Sequence, residues 1–375
     1  MKLRSSPKVC AGVALFAAAF CFTVQAQSPS PNVHVWVTGL NGPRGLTFGS
    51  DGNLYVAEAG TGGTNSTKGA CVQVIAPVGP YTGGNTSRIS KINPSGTRTT
   101  VASGFPSTID AMGDISGVAD LAFLDGTLYA LEGGAGCSHG DTLPNGLYSV
   151  NTKSGSWKLV ANLSHFIQTH MVKYPNAPDF EPDGTFYSMT EFNHRLYAVE
   201  PNHGQIVSIG MDGSMGNVMD VSASQGHIVP TAITARDGQL YLGNLNQFPI
   251  ESNYARVLTL GYAECSRVSA PGLDDTGAEH SLHVLASKAG FTTVVGTAFG
   301  PDGLLYVLEL SDAAGYPTPG AGKVVRIKND GSIEDVATGL VVPTGMTFGH
   351  DGKLYVSNFG AAPPGAGQIV RIDLP

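Results

Sequence analysis

The sequence predicts an all-β fold: a six-bladed β-propeller of four-stranded antiparallel blades. Three observations predict it. The string GLTFGSDGNLYVAE at Gly45 to Glu58 returns as GTAFGPDGLLYVLE at Gly296 to Glu309 and as GMTFGHDGKLYVSN at Gly345 to Asn358. Asp-Gly pairs begin at Asp51, Asp125, Asp183, Asp237, Asp302 and Asp351, each followed closely by an apolar residue and Tyr: Tyr55, Tyr129, Tyr187, Tyr241, Tyr306 and Tyr355. The intervals between these pairs run from 49 to 74 residues, so a constant strand unit carries loops of variable length, as in propeller arrays.

Within the unit, Leu46 and Phe48 alternate with Thr47 as a half-buried strand requires. Asp51-Gly52 reads as a two-residue hairpin turn with positive φ at both positions. Leu54-Tyr55-Val56 returns as a second strand rich in β-forming residues. A second pair follows each hairpin. In the first unit it is Arg88 to Ile92, a turn at Asn93 to Gly96, then Thr99 to Ala102. In the fifth it is Lys323 to Ile327, a turn at Asn329-Asp330-Gly331, then Glu334 to Thr338. Four strands make one blade. Unit three is the least regular, with its hairpin placed at Asp183 and its outer pair at Arg195 to Val199 and Gln205 to Ile209.

Residues 33–40 look like a fourth strand but precede the first hairpin, while Gln368 to Ile372 is a third strand with no fourth after it. The N-terminal strand is therefore expected to complete blade six, which removes two open sheet edges. Residues 27–375 form one domain on this reading.

Residues 1–26 carry Lys2, Arg4 and Lys8, an apolar run from Val9 to Val24, and Val24-Gln25-Ala26 before Gln27. That is the pattern of a secretory signal peptide, and the run is short for a bilayer span. A soluble periplasmic or extracellular protein, with no membrane span, is expected. Removing the peptide takes three cations and no anions from a chain of net charge −8, leaving −11. Such a balance argues against nucleic acid as a partner. Three cysteines remain. Cys71 and Cys137 fall in loops of neighbouring blades, either joined or as two thiols, and an oxidising compartment permits the disulfide. Cys265 lies apart, on the opposite face.

The connections between second and third strands, residues 59–87, 133–145, 310–322 and 359–367, are long and rich in Gly, Pro and Thr. They share one face, here called the top, with the connections between blades. Long loops on a rigid scaffold are the expected place for binding. Two rings of residues face that mouth. Glu58, Glu132, Glu191, Asn244, Glu309 and Asn358 end the second strands; such a ring could hold Ca²⁺, which prefers oxygen ligands, or each side chain could cap backbone amides of its own loop. Arg44, Ala119, Asn176, Thr231, Val295 and Thr344 begin the first strands. Arg44 and Asn176 break the regularity of that second ring and are the better ligand-binding candidates. Arg44 suits a planar anion, since its fork bonds carboxylates bidentately; the alternative is a salt bridge to Glu58. Scattered histidines include His139 beside Asp141, and Asp274-Asp275 sit in a polar bottom loop. No HExxH, GxSxG, P-loop or CxxC motif occurs.

The string GPRGLTFGSDGNLYVAEAG with the Gly-rich loop holding Cys71, Val229-Pro230-Thr231, Tyr241-Leu242-Gly243 with Phe248-Pro249, AFGPDGLLYVLEL, and PTGMTFGHDGKLYVSNFG together resemble the ScyD/ScyE family. The resemblance spans the chain after residue 26. It implies an exported NHL-like propeller and carries no catalytic residues over. Asn176-Ala177-Pro178-Asp179 and an extra segment, Met211 to Gly226, depart from that pattern. Similar six-bladed lactonases and strictosidine-synthase-like enzymes hold a metal with Glu, Asn and Asp at first-strand starts. Here that ring offers Asn176 and little else. The expectation is a monomeric binding module taking a small molecule, glycan or protein at the top face; the alternative is a metal-dependent hydrolase of the lactonase type.

Overall fold

A computed structural model describes residues 27–262 and 281–374. The signal-peptide reading, Cys265 and Asp274-Asp275 lie outside these residues. Six antiparallel sheets make up the ring. Blade one is Pro43–Phe48, Leu54–Glu58, Thr82–Ile92 and Arg98–Ile109, with Ile115–Ser116 added at its outer edge. Blade two is Val118–Leu124, Thr127–Glu132, Gly146–Val150 and Trp157–Asn162. Blade three is Ser188–Phe192, Arg195–Glu200, Gln205–Ile209 and Met215–Asp220. Blade four is Pro230–Arg236, Gln239–Asn244, Ala255–Tyr262 and Leu282–Phe291; blade five is Val294–Phe299, Leu305–Glu309, Gly322–Ile327 and Ile333–Leu340. Blade six is Gly345–Phe348, Leu354–Asn358 and Gly367–Ile372, and Val33–Leu40 supplies its outer strand. Val33 pairs with Ile372 and Leu40 with Gly367, so the ring closes as expected.

The repeated motif earns its residues in packing. In four of the six blades the second-strand Tyr sets its ring edge-on against the first-strand Phe of the next blade: Tyr55 on Phe123, Tyr241 on Phe299, Tyr306 on Phe348 and Tyr355 on Phe48, with centroids 4.9–5.1 Å apart. The Asp of the motif has a second task. Tyr55, Tyr306 and Tyr355 donate their hydroxyls to Asp51, Asp302 and Asp351 at 2.9–3.0 Å. In these three blades the hairpin is wider than a two-residue turn. Only the glycines, Gly52, Gly303 and Gly352, take positive φ, and Gly49 donates to the Asn53 carbonyl across the loop. The two-residue turn holds at Asp125-Gly126 and Asp237-Gly238, where both residues have positive φ.

Blade three corrects the sequence reading. Asp183-Gly184 is not its hairpin. The turn is Asn193-His194, at φ 51° and 58°, a conformation that Asn and His tolerate better than most residues. The whole blade is displaced along the chain as a result. Tyr197 replaces Tyr187 in the Tyr position, Glu200 replaces Glu191 at the strand end, and Met215–Asp220, inside the segment marked as extra, is the outer strand. The pair expected to be outer, Arg195 to Val199 and Gln205 to Ile209, supplies the second and third strands instead, and Leu196 to Glu200 reads LYAVE against LYVAE at Leu54 to Glu58.

Candidate functional site

The second-strand ring is structural in its contacts. Its true members are Glu58, Glu132, Glu200, Asn244, Glu309 and Asn358, all buried. Five of them tie down the connection that leads into their own blade. Glu58 accepts from Asn41 N at 2.8 Å, Glu200 from Thr185 N at 3.0 Å, Glu309 from Thr292 N at 2.6 Å and Asn358 from Val341 N at 2.7 Å. Asn244 donates to the Ile228 carbonyl at 2.9 Å. Glu58 is further gripped by Arg88, at 3.0 and 2.7 Å, and Glu309 by Lys323 at 3.7 Å. Glu132 is the exception. Its Oε1 accepts from Gly134 N at 2.8 Å, its Oε2 meets no partner, and burial pushes its carboxyl well above the usual range. Glu191 is in a different place altogether. It is exposed beside the bottom hairpin, accepting from His194 N at 3.0 Å, and pairs with Leu196 where the other blades place Phe48 or Phe123.

The first-strand ring lines the top mouth at four of its six positions; Thr231 is buried with its hydroxyl on the Val294 carbonyl. Arg44, Ala119, Val295 and Thr344 line a cavity of about 450 Å³, and the member from blade three is Tyr187. Asn176 stands away from this cavity, before the short 3₁₀ turn Ala177–Asp179. The displacement of blade three explains the miss.

Tyr187 decides the shape of the mouth. It starts blade three, yet its hydroxyl donates to the Thr344 carbonyl of blade six, across the ring, at 3.0 Å. Arg44 of blade one bonds the same hydroxyl and donates to the Ile115 carbonyl. Thr344 in turn donates to the Pro43 carbonyl at 2.6 Å. Three blades thus meet in a strut that stands between the upper cavity and a second one of about 280 Å³ deeper in the channel, since Tyr187, Val295 and Thr344 border both. Burial raises the Tyr187 phenol to about 12, against the pull of Arg44, so it stays protonated at neutral pH. Below the strut, Asp120 accepts from Met189 N at 2.8 Å, linking blades two and three. Its enclosure raises its carboxyl to about 7, offset in part by the Met189 and Leu121 amides. Arg44 forms no salt bridge with Glu58, and among the described residues it is in no ion pair. The Glu58 carboxylate is taken by Arg88.

The upper cavity is divided. Arg44, Tyr81, Asp110, Asp114 and Tyr187 bring polar lining from the side of blades one to three; Leu245, Phe248, Leu310, Pro317 and Val342 bring apolar lining from the side of blades four to six. Behind Tyr81 lies a buried network that the sequence reading did not assemble. Cys71 and Cys137 form a disulfide with an S–S distance of 2.08 Å. Cys137 opens the 3₁₀ turn Cys137–His139. His139 Nδ1 lies 2.6 Å from the Ala135 carbonyl and Nε2 lies 2.8 Å from Glu181 Oε2. Tyr81 donates to Glu181 Oε1 at 2.9 Å, and Thr185 donates to Oε2. A carbonyl can only accept, so Nδ1 carries a proton; an ionised Glu181 requires one on Nε2 as well. Burial disfavours the imidazolium, but Glu181 overrides it and raises the His139 pKa. Likewise His139 lowers the Glu181 pKa against its burial. Both shifts favour an imidazolium–carboxylate pair. His139 and Glu181 are 42 residues apart, and no spacing rule would have joined them.

Among the described residues no group of three or more His, Cys, Asp and Glu side chains is placed to hold a metal ion, and no helix is long and apolar enough to cross a membrane. No family model matches the chain, and no curated protein matches it. Solved structures do. A gluconolactonase from Xanthomonas campestris superposes with a TM-score of 0.54 at 10% identity, covering 92% of this chain and 89% of that one. A luciferin-regenerating enzyme gives 0.53 at 12% identity, covering 92% and 95%. The PQQ-bound aldose sugar dehydrogenase of Streptomyces coelicolor gives 0.50 at 14%, covering 93% and 99%. At these identities the likeness is one of fold.

Proposed function

We propose that this chain is an exported propeller of the ScyD/ScyE type that binds a small molecule in the cavity above the Tyr187 strut. The observation that carries the reading is the strut itself. It stands between that cavity and the deeper channel, so the top mouth is a floored bowl, on the face with the long loops, with one apolar and one polar wall. Export is supported by the cationic and apolar run of residues 1–26 and by the Cys71–Cys137 disulfide, a bond that lasts in oxidising compartments.

The second reading, a lactonase-like hydrolase, draws on the fold shared with the gluconolactonase. The bowl gives it less support, because its first-strand ring is Arg44, Ala119, Tyr187, Thr231, Val295 and Thr344, with no carboxylate in it. The test is a thermal-shift screen of acidic metabolites, sugars and divalent cations on protein purified from the periplasm, repeated on Ala119→Phe, which fills the bowl from the wall. Stabilising compounds should lose their effect on the variant. Equal binding to both proteins would move the site elsewhere. Stoichiometric tight metal with lactone hydrolysis would favour the hydrolase.

A further inference from the structure

We infer that the bowl selects a flat, ring-bearing carboxylic acid over a sugar or a puckered acid. This rests on reading the bowl as the ligand site.

The charge requirement comes from Arg44. A guanidinium has five N–H donors. Here the Ile115 carbonyl and the Tyr187 hydroxyl are its partners, and among the described residues no carboxylate pairs with it. It lines the bowl with donors to spare. A half-buried cation left without a counter-ion in a concave site with an apolar wall suits a ligand that brings the anion, and the guanidinium fork matches a carboxylate best. Neither of the two acids in the same lining forms an ion pair with it. Asp110 is occupied by its own turn, accepting from Met112 N and Asp114 N, both at 2.8 Å. Asp114 is exposed and can accept from a hydroxyl or N–H on the ligand.

The shape requirement comes from the opposite rim. Phe248 and Tyr316, from the top loops of blades four and five, lie parallel, 7° apart, with centroids at 6.1 Å. They are 46% and 65% exposed, a large apolar area to leave in water. Their loops are tied together beside them, Ile250 N to the Gly315 carbonyl at 2.6 Å and Gly315 N to the Ile250 carbonyl at 2.9 Å. Phe248 lines the bowl and so does Pro317, next to Tyr316. Two parallel aromatic faces on a pinned rim stack a third flat ring at little ordering cost.

The probes are 6-hydroxy-2-naphthoate, its uncharged analogue 6-hydroxy-2-naphthamide, trans-4-hydroxycyclohexanecarboxylate and glucose, with binding followed by naphthyl fluorescence and calorimetry. The naphthoate should bind at least tenfold tighter than each of the others. Arg44→Gln should erase the preference for acid over amide. Arg44→Lys, which keeps the charge and guards against a folding defect in the first variant, should retain part of it. Phe248→Ala and Tyr316→Ala should erase the preference for the flat acid over the puckered one. Glucose or the puckered acid binding as well as the naphthoate would overturn the inference and leave the bowl as a ligand site. An acid-over-amide preference that survives Arg44→Gln would also overturn it. Failure of every compound in the wider screen to bind the bowl would bring down the ligand-site reading itself.

Discussion

Replacing His139 by Phe tests whether the buried pair behind Tyr81 is ionised. Phe keeps a ring against Tyr81, whose centroid is 4.7 Å away, and removes both N–H donors. Glu181 would then keep only the Tyr81 and Thr185 hydroxyls, and the Ala135 carbonyl would lose its partner. Both side chains of the pair are nearly inaccessible, 1% and 7% exposed, so solvent screening gives little relief. Breaking a buried pair by removing one partner costs about 3–5 kcal/mol. The pH dependence gives a second readout. The His139 pKa is raised on folding, so its contribution is complete below the unfolded value of 6.5 and is lost as pH rises through the folded value. The Glu181 pKa is lowered, so its contribution is complete above 4.5 and is lost as pH falls through the folded value. The pair is therefore worth most between these two unfolded values. In the variant a lone buried Glu181 gains a proton on folding, which narrows the gap to the parent protein at acid pH. Urea unfolding followed by fluorescence of Trp36 and Trp157, from about pH 5 to pH 9, reads all of this. A cost below about 1 kcal/mol, with pH profiles of the same shape in both proteins, would mean that the pair is neutral and the reasoning wrong.

Deleting residues 27–40 should give insoluble or much less stable protein, because Val37 and Leu40 are buried in the seam and Gly367–Ile372 would become an open edge; unchanged thermal stability would refute the role of that strand. Glu132→Gln should gain stability relative to the parent as pH rises. The raised carboxyl keeps a proton in the fold that the unfolded chain releases above its ordinary value of 4.5, so the parent loses stability upward from there. Urea midpoints near pH 5 and pH 8 check it, and an unchanged difference between them counts against it. Reducing the Cys71–Cys137 bond, whose residues are 66 apart, should cost about 4 kcal/mol on the chain-entropy account, read as a drop in unfolding midpoint with dithiothreitol.

The fold was legible wherever strand and turn told the same story. The triple repeat carries the Tyr–Phe contact between blades and the Asp–Tyr hydrogen bond within them, so its residues are answerable to packing and show as a pattern. Blade three lacks both signals. Its hairpin is Asn193-His194, and its Phe position is held by Glu191. The dipeptide at Asp183 mimics the first of them, because a turn motif is local and says nothing of which strands it joins. The mouth was legible for the same reason that the ring was: Arg44 sits at a fixed offset from a good repeat. Tyr187 follows an Asp-Gly pair as the repeat tyrosines do, and that coincidence hides its place at the mouth. The network of Tyr81, His139 and Glu181 joins three separate loops, and contacts between irregular segments leave no period to read.

The seam in blade six also sets an order of events. Blades one to five are each built from strands adjacent in the chain, and their hairpins can zip as they leave the ribosome. Blade six must wait, because residue 33 pairs with residue 372. Bringing such distant segments together costs roughly 5 kcal/mol of loop entropy on a logarithmic law, and prior folding of the intervening blades removes most of that search by presenting the two halves side by side. Until then the nascent molecule carries a bare strand at each end, the stage at which it is most open to pairing with a second copy. A circular permutant opened at Asp125-Gly126, with the old ends joined by a short linker, would carry that vulnerable junction into blade two and make the present last step a local one.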